Sequence, residues 1–159
     1  IGVAGTYIEQ FTCAKWAANV LKTEGHVQIG FINSGGIRSN AFPIEVNQEI
    51  TIGKVWEIMP FDNEVKTCMM SVKYIIRLYD SSGIIHSSNI NVKNNVLYVD
   101  GVKANDDDKF LVGAVDYIFD KEEYPFLSSD DIRVTGDLFR DYLINSITNT
   151  CKDGSKWMA

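Results

Sequence analysis

"VQIGFINSGGIRS", residues 27–39, joins a continuous apolar run to a loop that contains two glycines and an arginine. The apolar run predicts a buried strand over residues 27–32. Glycine lets a backbone approach a ligand closely, and a guanidinium presents a planar fork that suits phosphate oxygens. The loop therefore has two interpretations: a tight turn that ends in a solvated Arg38, or a backbone cradle for a small anion.

Size and composition restrict the class of protein. The chain has 159 residues, of which 45% are hydrophobic, so it can bury one sizeable core. No apolar run reaches the roughly 18 residues that a membrane span needs, and no signal-peptide pattern is present. The chain opens on Ile1, which indicates a processed product or a cut chain. The net charge of −6 and the lack of a Lys/Arg block argue against a nucleic-acid groove.

The spacing of apolar residues predicts a mixture of helices and strands in a single domain. A first helix is expected over residues 6–25, with Thr6 and Glu9 as a capping box. After the glycine loop we expect a short helix ending at Pro60, a strand at 64–70 and a helix at 72–80 capped by Ser71. Further predictions are a hairpin at residues 94–95, a long strand from 109, a loop at 120–131, a closing helix at 137–149 and a polar tail at 150–159. Strict βαβ alternation is missing, which favours the α+β class.

Three segments taken together resemble the C-terminal domain of the 5′-nucleotidase family. They are "NSGGIRS" at 33–39, "ITIGKVWEIMPFDNEV" at 50–65 and "FLVGAVDY" at 110–117. The family pattern runs Asn-x-Gly-Gly-Ile-Arg, then an Ile-Thr segment leading to Pro-Phe-x-Asn, then a strand that ends in an aromatic residue. The resemblance implies a layered α/β/β/α sandwich over residues 1–159. It also implies a substrate-binding domain that works with a separate N-terminal metallophosphoesterase domain, in the same or another chain.

The resemblance assigns the phosphate end of the ligand to the glycine loop. Arg38 becomes the phosphate contact and Asn33 a polar contact beside it, with Gly35 and Gly36 forming the cradle. Many relatives carry further arginines before the first helix, and residues 1–12 contain none. Phosphate binding is therefore expected to be weaker, or to be completed by another chain.

The base end is assigned in the same way. Phe61 becomes one stacking face and Asn63 a hydrogen-bond partner of the base, while Gly83 lines the base pocket. Tyr117 occupies the position of the second stacking aromatic, and the aromatics at 119 and 126 are competitors for that role. Glu123 falls where the family has its ribose-binding aspartate, with Asp120 an equal rival. The family's Gly-Gly-Asp-Gly loop is replaced here by "DYIFDKEEYPF".

Catalytic chemistry is not expected from this chain alone. Phosphoester hydrolysis of the family type uses two metal ions held by clustered His and Asp motifs, and the chain has only His26 and His86. The acidic run "NDDDK" at 105–109 lacks EF-hand spacing and is predicted to be a solvated turn. The three cysteines form no zinc signature and are expected to be buried thiols.

The expected function is therefore the nucleotide-binding part of a 5′-nucleotidase-type hydrolase involved in nucleotide catabolism. The ligand would be a nucleoside monophosphate or a related phosphoester. No cofactor is expected in this chain, since the divalent metals would belong to the catalytic domain. The family implies a location outside the cytoplasm, whether secreted, periplasmic or at the cell surface. Two alternatives remain open: a stand-alone nucleotide-binding module, and a degenerate structural domain that has lost its ligand.

Overall fold

The structure is a computed structural model that describes residues 1–159. Its helices are α1 (Gln10–Glu24), α2 (Ile52–Ile58), α3 (Val72–Tyr79), α4 (Asp116–Phe119) and α5 (Phe139–Cys151). Its strands are β1 (Gly2–Val3), β2 (Ile29–Asn33), β3 (Glu49–Ile50), β4 (Glu64–Ser71), β5 (Ile84–His86), β6 (Ile90–Lys93), β7 (Val96–Val99), β8 (Val102–Lys103), β9 (Lys109–Val115) and β10 (Asp130–Leu138). None of the helices combines the length and apolar character that crossing a membrane would require.

A five-stranded mixed sheet forms the centre of the molecule, in the order β10-β4-β9-β2-β5. Only β2 and β9 run parallel, and the other three pairings are antiparallel. Helix α1 packs very closely on this parallel pair. A Cβ atom on Gly30 would lie 2.7 Å from the Ala18 carbonyl oxygen, so only glycine fits there. The mixed sheet confirms the predicted α+β class.

The opposite face of the central sheet is covered by aromatic residues. Phe31 lies next to Gly30 on β2 and therefore points away from α1. Its ring meets Phe126 edge-on at 6.2 Å, and Phe126 stacks on Phe119 at 5.0 Å. All three side chains are fully buried, so the aromatics at 119 and 126 belong to the core. The prediction that either competes for ligand stacking is wrong.

A separate three-stranded sheet, β6-β7-β8, and the two-stranded pair β1-β3 complete the fold. The predicted hairpin is confirmed, since Asn94 and Asn95 turn between β6 and β7 with φ of 50° and 60°. Positive φ angles at both central residues are what a two-residue hairpin loop requires. The chain thus uses asparagine here where glycine is the commoner choice.

The start of α1 differs from its prediction. The helix begins at Gln10, and Glu9 caps it with no side-chain hydrogen bond, so the predicted capping box is wrong. The preceding residues are extended because Ile8 pairs with Ile44 in an antiparallel bridge. Tyr7 and Phe11 are 48% and 62% exposed, so neither belongs to the core.

The C-terminal third contains the other differences. Strand β10 begins in the predicted loop, runs through residues 132–136, for which no element was predicted, and ends in the first part of the predicted helix. Its residues are almost all exposed, so they show no alternation that could mark a strand. The segment 150–159 is not a free polar tail. Trp157 is buried, and it meets Trp16 edge-on at 4.9 Å while its backbone pairs with Ala4 in a parallel bridge.

The three cysteines are free thiols. Cys13 on α1 and Cys68 on β4 are fully buried, as predicted, and Cys151 is partly exposed. Desolvation disfavours the thiolate, so burial raises the pKa of Cys13 to about 12 and that of Cys68 to about 11. Both are therefore inert core residues at neutral pH.

Candidate substrate-binding site

The glycine loop leaves β2 at Asn33 and makes two short 3-10 turns, Ser34–Gly36 and Ser39–Ala41. Two backbone hydrogen bonds hold it in place. The Ser34 N–H donates to the Gly83 carbonyl at 2.9 Å, and the Arg38 N–H donates to the Ile58 carbonyl at 2.9 Å. Gly83 has φ of +79°, a left-handed conformation that favours glycine. The loop is therefore tied to the start of β5 and to the end of α2.

Arg38 keeps most of its guanidinium free for a ligand. One nitrogen, Nη1, donates to the Gly35 carbonyl at 3.1 Å, and no carboxylate lies within ion-pair distance of the group. The guanidinium carbon lies 5.7 Å from the centre of the Phe61 ring. This unpaired cation beside an aromatic ring can bind an anion without first breaking a salt bridge.

Residues 59–63, which we call the Phe61 wall, are held by a buried cation. Arg140 on α5 is 3% exposed, and its Nη1 donates to the carbonyls of Met59 and Phe61 at 3.2 and 3.0 Å. Its Nη2 donates to the Asp62 carboxylate at 2.6 Å. The wall's geometry is thereby fixed from behind, while the Phe61 side chain itself stays 43% exposed.

Two further contacts complete the support of this wall. The Phe139 N–H donates to the Asn63 carbonyl at 2.9 Å, so the start of α5 holds the wall's last residue. Trp56 on α2 covers the outer face of Arg140, whose guanidinium carbon lies 3.4 Å from the indole ring centre. Three of the five wall residues thus have their carbonyls bound by α5.

Residues 116–121 form the other side of the site, which we call the Tyr117 wall. The predicted strand ends at Val115, and the next residues turn into α4. Tyr117 lies on this single helical turn with 53% of its surface exposed, and Lys121 Nζ lies 4.0 Å from its ring centre. The two walls are joined because Asn63 Nδ2 donates to Asp116 Oδ1 at 2.7 Å.

A cleft of about 350 Å³ lies between the glycine loop and these two walls. The structure brings together six of the residues that the sequence singled out, and these six line the cleft: Asn33, Gly35, Arg38, Phe61, Asn63 and Tyr117. A cation and polar amides lie with aromatic surface in one concave site, which is typical of small-molecule pockets. The arrangement can hold a flat ring system and an anionic group at the same time.

Three of the predicted residues do not line the cleft. Gly36 is buried behind Asn33, whose Oδ1 would lie 3.2 Å from a Cβ atom at that position. Gly83 supports the loop through its carbonyl. Glu123 lies outside the lining, where its carbonyl accepts a hydrogen bond from Arg77 at 2.6 Å. Its rival Asp120 pairs with Lys66 at 2.7 Å and is outside the lining as well.

Sequence reasoning did not identify three residues that shape the site: Arg140, Asp116 and Lys121. Arg140 lies 79 positions after Phe61, and no local pattern marks such a contact. Asp116 could have been noticed because it precedes the predicted aromatic Tyr117 directly. Lys121 lies four positions after that tyrosine, the spacing at which side chains meet on a helix.

No group of three or more His, Cys, Asp or Glu side chains converges so that it could hold a metal ion. The acidic run at 105–109 forms a turn in which the Asp108 carboxylate accepts from the Asn105 N–H at 2.9 Å. The residues of this chain therefore do not fit the two-metal centre that the family resemblance implies for catalysis.

The residues that line the cleft lie mostly within a segment that matches a known protein family. The family model described as "5'-nucleotidase, C-terminal domain" matches residues 3–78, which include the glycine loop and the Phe61 wall. No curated protein sequence gives a significant match.

Three solved structures share the fold. The 5′-nucleotidase precursor from Thermus thermophilus superposes with a TM-score of 0.69 at 18% identity, over 92% of this chain and 36% of that one. The NAD nucleotidase from Haemophilus influenzae superposes with a TM-score of 0.67 at 14% identity, over 86% of this chain and 30% of that one. A putative 5′-nucleotidase from Staphylococcus aureus, solved with α-ketoglutarate, superposes with a TM-score of 0.59 at 13% identity, over 92% of this chain and 36% of that one.

This chain spans about a third of the length of each of those proteins. The family match covers the segment that forms most of the cleft, and the similarity in fold extends over nearly the whole chain. Residues 3–78 thus match the C-terminal domain of the 5′-nucleotidase family, and nearly the whole chain shares the fold of the C-terminal part of such proteins.

Proposed function

We propose that the cleft binds a nucleoside monophosphate or a closely related phosphoester, as the substrate-binding part of a 5′-nucleotidase-type hydrolase. The observation that carries the proposal is the joint lining of one cleft by the unpaired Arg38 and two exposed aromatic residues, Phe61 and Tyr117. The ring system of the base lies against the aromatics, and the phosphate meets the guanidinium.

The two ends of the cleft make different contributions to binding. Base–aromatic stacking contributes about 1–3 kcal/mol per base and tolerates any base, because every base has a flat face. Hydrogen bonds from a charged donor contribute about 1.5–3 kcal/mol and depend on geometry. Stacking therefore supplies affinity, while Arg38 sets the direction in which the ligand lies. The Asn63 side chain has a free oxygen, since its nitrogen donates to Asp116, and this oxygen accepts from a base amino group.

The hydrolytic step belongs to a partner domain. Residues of this chain bind and orient the phosphoester, and a metallophosphoesterase domain in the same or another chain supplies two divalent metals that activate water. Such an assembly acts outside the cytoplasm, in nucleotide catabolism. The role of this chain is therefore binding and positioning.

Calorimetric titration with AMP tests the binding role. The chain should bind AMP, and Phe61→Ala and Arg38→Ala should each weaken binding by about tenfold. Val102→Ala is the matched control, because Val102 is an exposed apolar residue on β8 away from the cleft. Lack of AMP binding at millimolar concentration would reject the proposal and favour a degenerate domain.

A second experiment distinguishes a hydrolase component from a stand-alone binding module. Mixing the chain with the metallophosphoesterase domain encoded beside or before it should yield metal-dependent phosphate release from AMP. Arg38→Ala in the same mixture should lower kcat/KM in proportion to its loss of affinity. Binding of AMP without phosphate release in any such mixture would support the stand-alone module instead.

A further inference from the structure

A polar depression lies on the outer face of the small sheet formed by β6, β7 and β8. It has a volume of about 590 Å³, and none of its lining residues lines the cleft. The family match ends at residue 78, before this sheet begins, so the depression belongs to a part of the chain outside that match. Most of its lining comes from polar side chains, which are those of Asn89, Asn91, Lys93, Tyr98 and Asp100.

Strand pairing explains why these side chains meet on one face. Asn91 on β6 lies opposite Tyr98 on β7, and the neighbouring pair is Ile90 with Val99. The members of that neighbouring pair are 4% and 6% exposed, so the alternation of the strands turns Asn91 and Tyr98 outward. Side chains that lie directly opposite each other have Cβ atoms about 4.5–5.5 Å apart, so both can contact one small ligand.

One end of the depression is fixed by Asn89, whose side chain is bonded to three neighbours. Its Oδ1 accepts from the hydroxyl of the fully buried Ser87 at 2.7 Å. Its Nδ2 donates to the Gln28 carbonyl at 2.9 Å and to Asp100 Oδ1 at 3.2 Å. The Asp100 N–H donates in turn to the Asn89 carbonyl at 2.9 Å. The Asp100 carboxylate is thereby oriented, and its second oxygen is left as an acceptor for a ligand.

The other end offers a donor and an aromatic surface. Asn91 Oδ1 accepts from the Tyr79 hydroxyl at 3.3 Å, which leaves its Nδ2 to donate to a ligand. Tyr79 is itself held by stacking on His86 at 4.6 Å. Tyr98 is half-buried and contributes its ring and its hydroxyl. An oriented acceptor, an oriented donor and an aromatic ring therefore lie in one concave surface.

The balance of these groups selects a neutral ligand rich in hydroxyl groups. An apolar molecule would leave the Asn91 amide and the Asp100 carboxylate unpaired on burial. An anion would meet that carboxylate, which has no cation of the chain within ion-pair distance. No group of three carboxylates, imidazoles or thiols converges here to hold a metal ion. A sugar hydroxyl both donates and accepts, and the C–H face of a sugar ring packs against an aromatic face.

We infer that the Tyr98 site, which consists of Asn91, Tyr98 and Asp100, binds one pyranose unit, as a free sugar or at the end of a glycan. One sugar hydroxyl donates to the Asp100 carboxylate, and a neighbouring hydroxyl accepts from the Asn91 amide. The sugar ring lies on Tyr98. This inference does not depend on the proposed function of the cleft, because the two sites share no residue.

NMR titration of the isotope-labelled chain tests the Tyr98 site. The probes are the methyl glycosides of glucose, galactose and mannose. At least one should bind with a Kd of about 1 mM, the range for a neutral ligand of this size, and shift the amide signals of residues 88–101. A trisaccharide that ends in the same unit separates the two sources. Equal affinity assigns the site to a glycan end, and weaker binding assigns it to a free sugar.

Two variants remove one contact each. Tyr98→Ala should weaken binding of that glycoside by at least about fivefold, while Tyr98→Phe should retain most of the affinity. Asp100→Asn should weaken binding similarly, because it replaces the free acceptor with a donor, and asparagine tolerates the φ of 52° at this position. Asp106→Asn is the matched control, since it removes an exposed carboxylate outside the depression.

The outcomes separate this inference from the proposed function. Absence of binding by all three glycosides at about 50 mM would overturn the Tyr98 site. Signal shifts confined to other parts of the chain, or equal affinities of Asp100→Asn and the Asp106→Asn control, would overturn it as well. AMP binding to the cleft should be the same in all of these variants. A chain that binds a glycoside and not AMP would reject the proposed function and leave the Tyr98 site standing.

Discussion

The Phe61 wall and the Tyr117 wall present similar aromatic surfaces to the cleft, but their supports differ. Arg140 is almost fully buried and binds two carbonyls of the Phe61 wall, whose third bound carbonyl is held by Phe139. The Tyr117 wall rests on one helical turn, and its tyrosine is covered by the side chain of Lys121. The backbone that carries Phe61 is therefore held by three hydrogen bonds from α5, whereas the Tyr117 side chain has only the cation–π contact with Lys121. A site of this kind can accept ligands of different thickness while keeping a constant reference face.

The largest expected effect is a loss of unfolding free energy when the support of the Phe61 wall is removed. Arg140→Ala leaves two carbonyls and a carboxylate without their donor, and the loss of hydrogen bonds from a buried charged group costs about 1.5–3 kcal/mol of unfolding free energy for each bond to a carbonyl. Denaturant unfolding measures this loss. Asp62→Ala is the matched comparison: its carboxylate is 74% exposed and Arg140 keeps both carbonyl contacts, so we expect a smaller cost than for Arg140→Ala. Equal costs for the two variants would show that the carbonyl contacts do not support the wall.

The second effect is on ligand affinity. Phe61→Ala should weaken AMP binding by about tenfold, whereas Tyr117→Ala should weaken it by about threefold, because an adjustable ring loses more entropy on stacking. Both side chains are largely exposed, so each variant should keep its unfolding free energy within about 0.5 kcal/mol. Titration calorimetry beside thermal unfolding gives both quantities. A larger loss for Tyr117→Ala would reverse the proposed ranking of the two walls.

The third effect concerns the hydrogen bond that joins the walls. Asn63→Asp places a second carboxylate against Asp116, and like charges at this distance should cost about 1 kcal/mol at pH 7. The repulsion raises a carboxyl pKa in the folded state above its unfolded value, so the cost should grow as the pH rises from about 4 to about 7. The exchanged pair, Asn63→Asp with Asp116→Asn, should restore stability at pH 7. A cost that is independent of pH would contradict the assigned contact.

The smallest effect is expected at Lys121. Its cation–π contact with Tyr117 is exposed, which limits its contribution to about 0.5–1 kcal/mol. Lys121→Ala should free the tyrosine ring and tighten AMP binding by less than about threefold. The conservative variant Lys121→Arg should leave affinity unchanged. Weaker binding in Lys121→Ala would indicate that the ammonium contacts the ligand directly.

The sequence was sufficient where local chemistry decides the structure. The apolar run before Asn33, the glycine pair and the proline before Phe61 each restrict their own neighbourhood, and the segments carrying them meet in the cleft. The resemblance to the family placed Tyr117 in the same site, although the residue lies on a helical turn and not on a strand. The α+β class followed from the same local patterns.

The remaining features depend on contacts that no local pattern contains. Arg140 acts on residues about 80 positions away, and an arginine near a helix start usually indicates solvent exposure. The expected ribose-binding carboxylate is not among the residues that line the cleft, because a spacing taken from a glycine-rich loop was applied to one without glycines. Strand β10 was missed since its side chains are exposed on both sides, which removes the period of two.

The pairing of Trp157 with Ala4 has a consequence for the design of shortened variants. The Trp157 N–H donates to the Val3 carbonyl, and its ring fills the space beside Trp16. A truncation just before this tryptophan would keep every residue that lines the cleft, yet it would uncover apolar surface on α1 and β1. Poor solubility of such a fragment would therefore result from the loss of the Trp157 side chain. It would not be evidence about ligand binding.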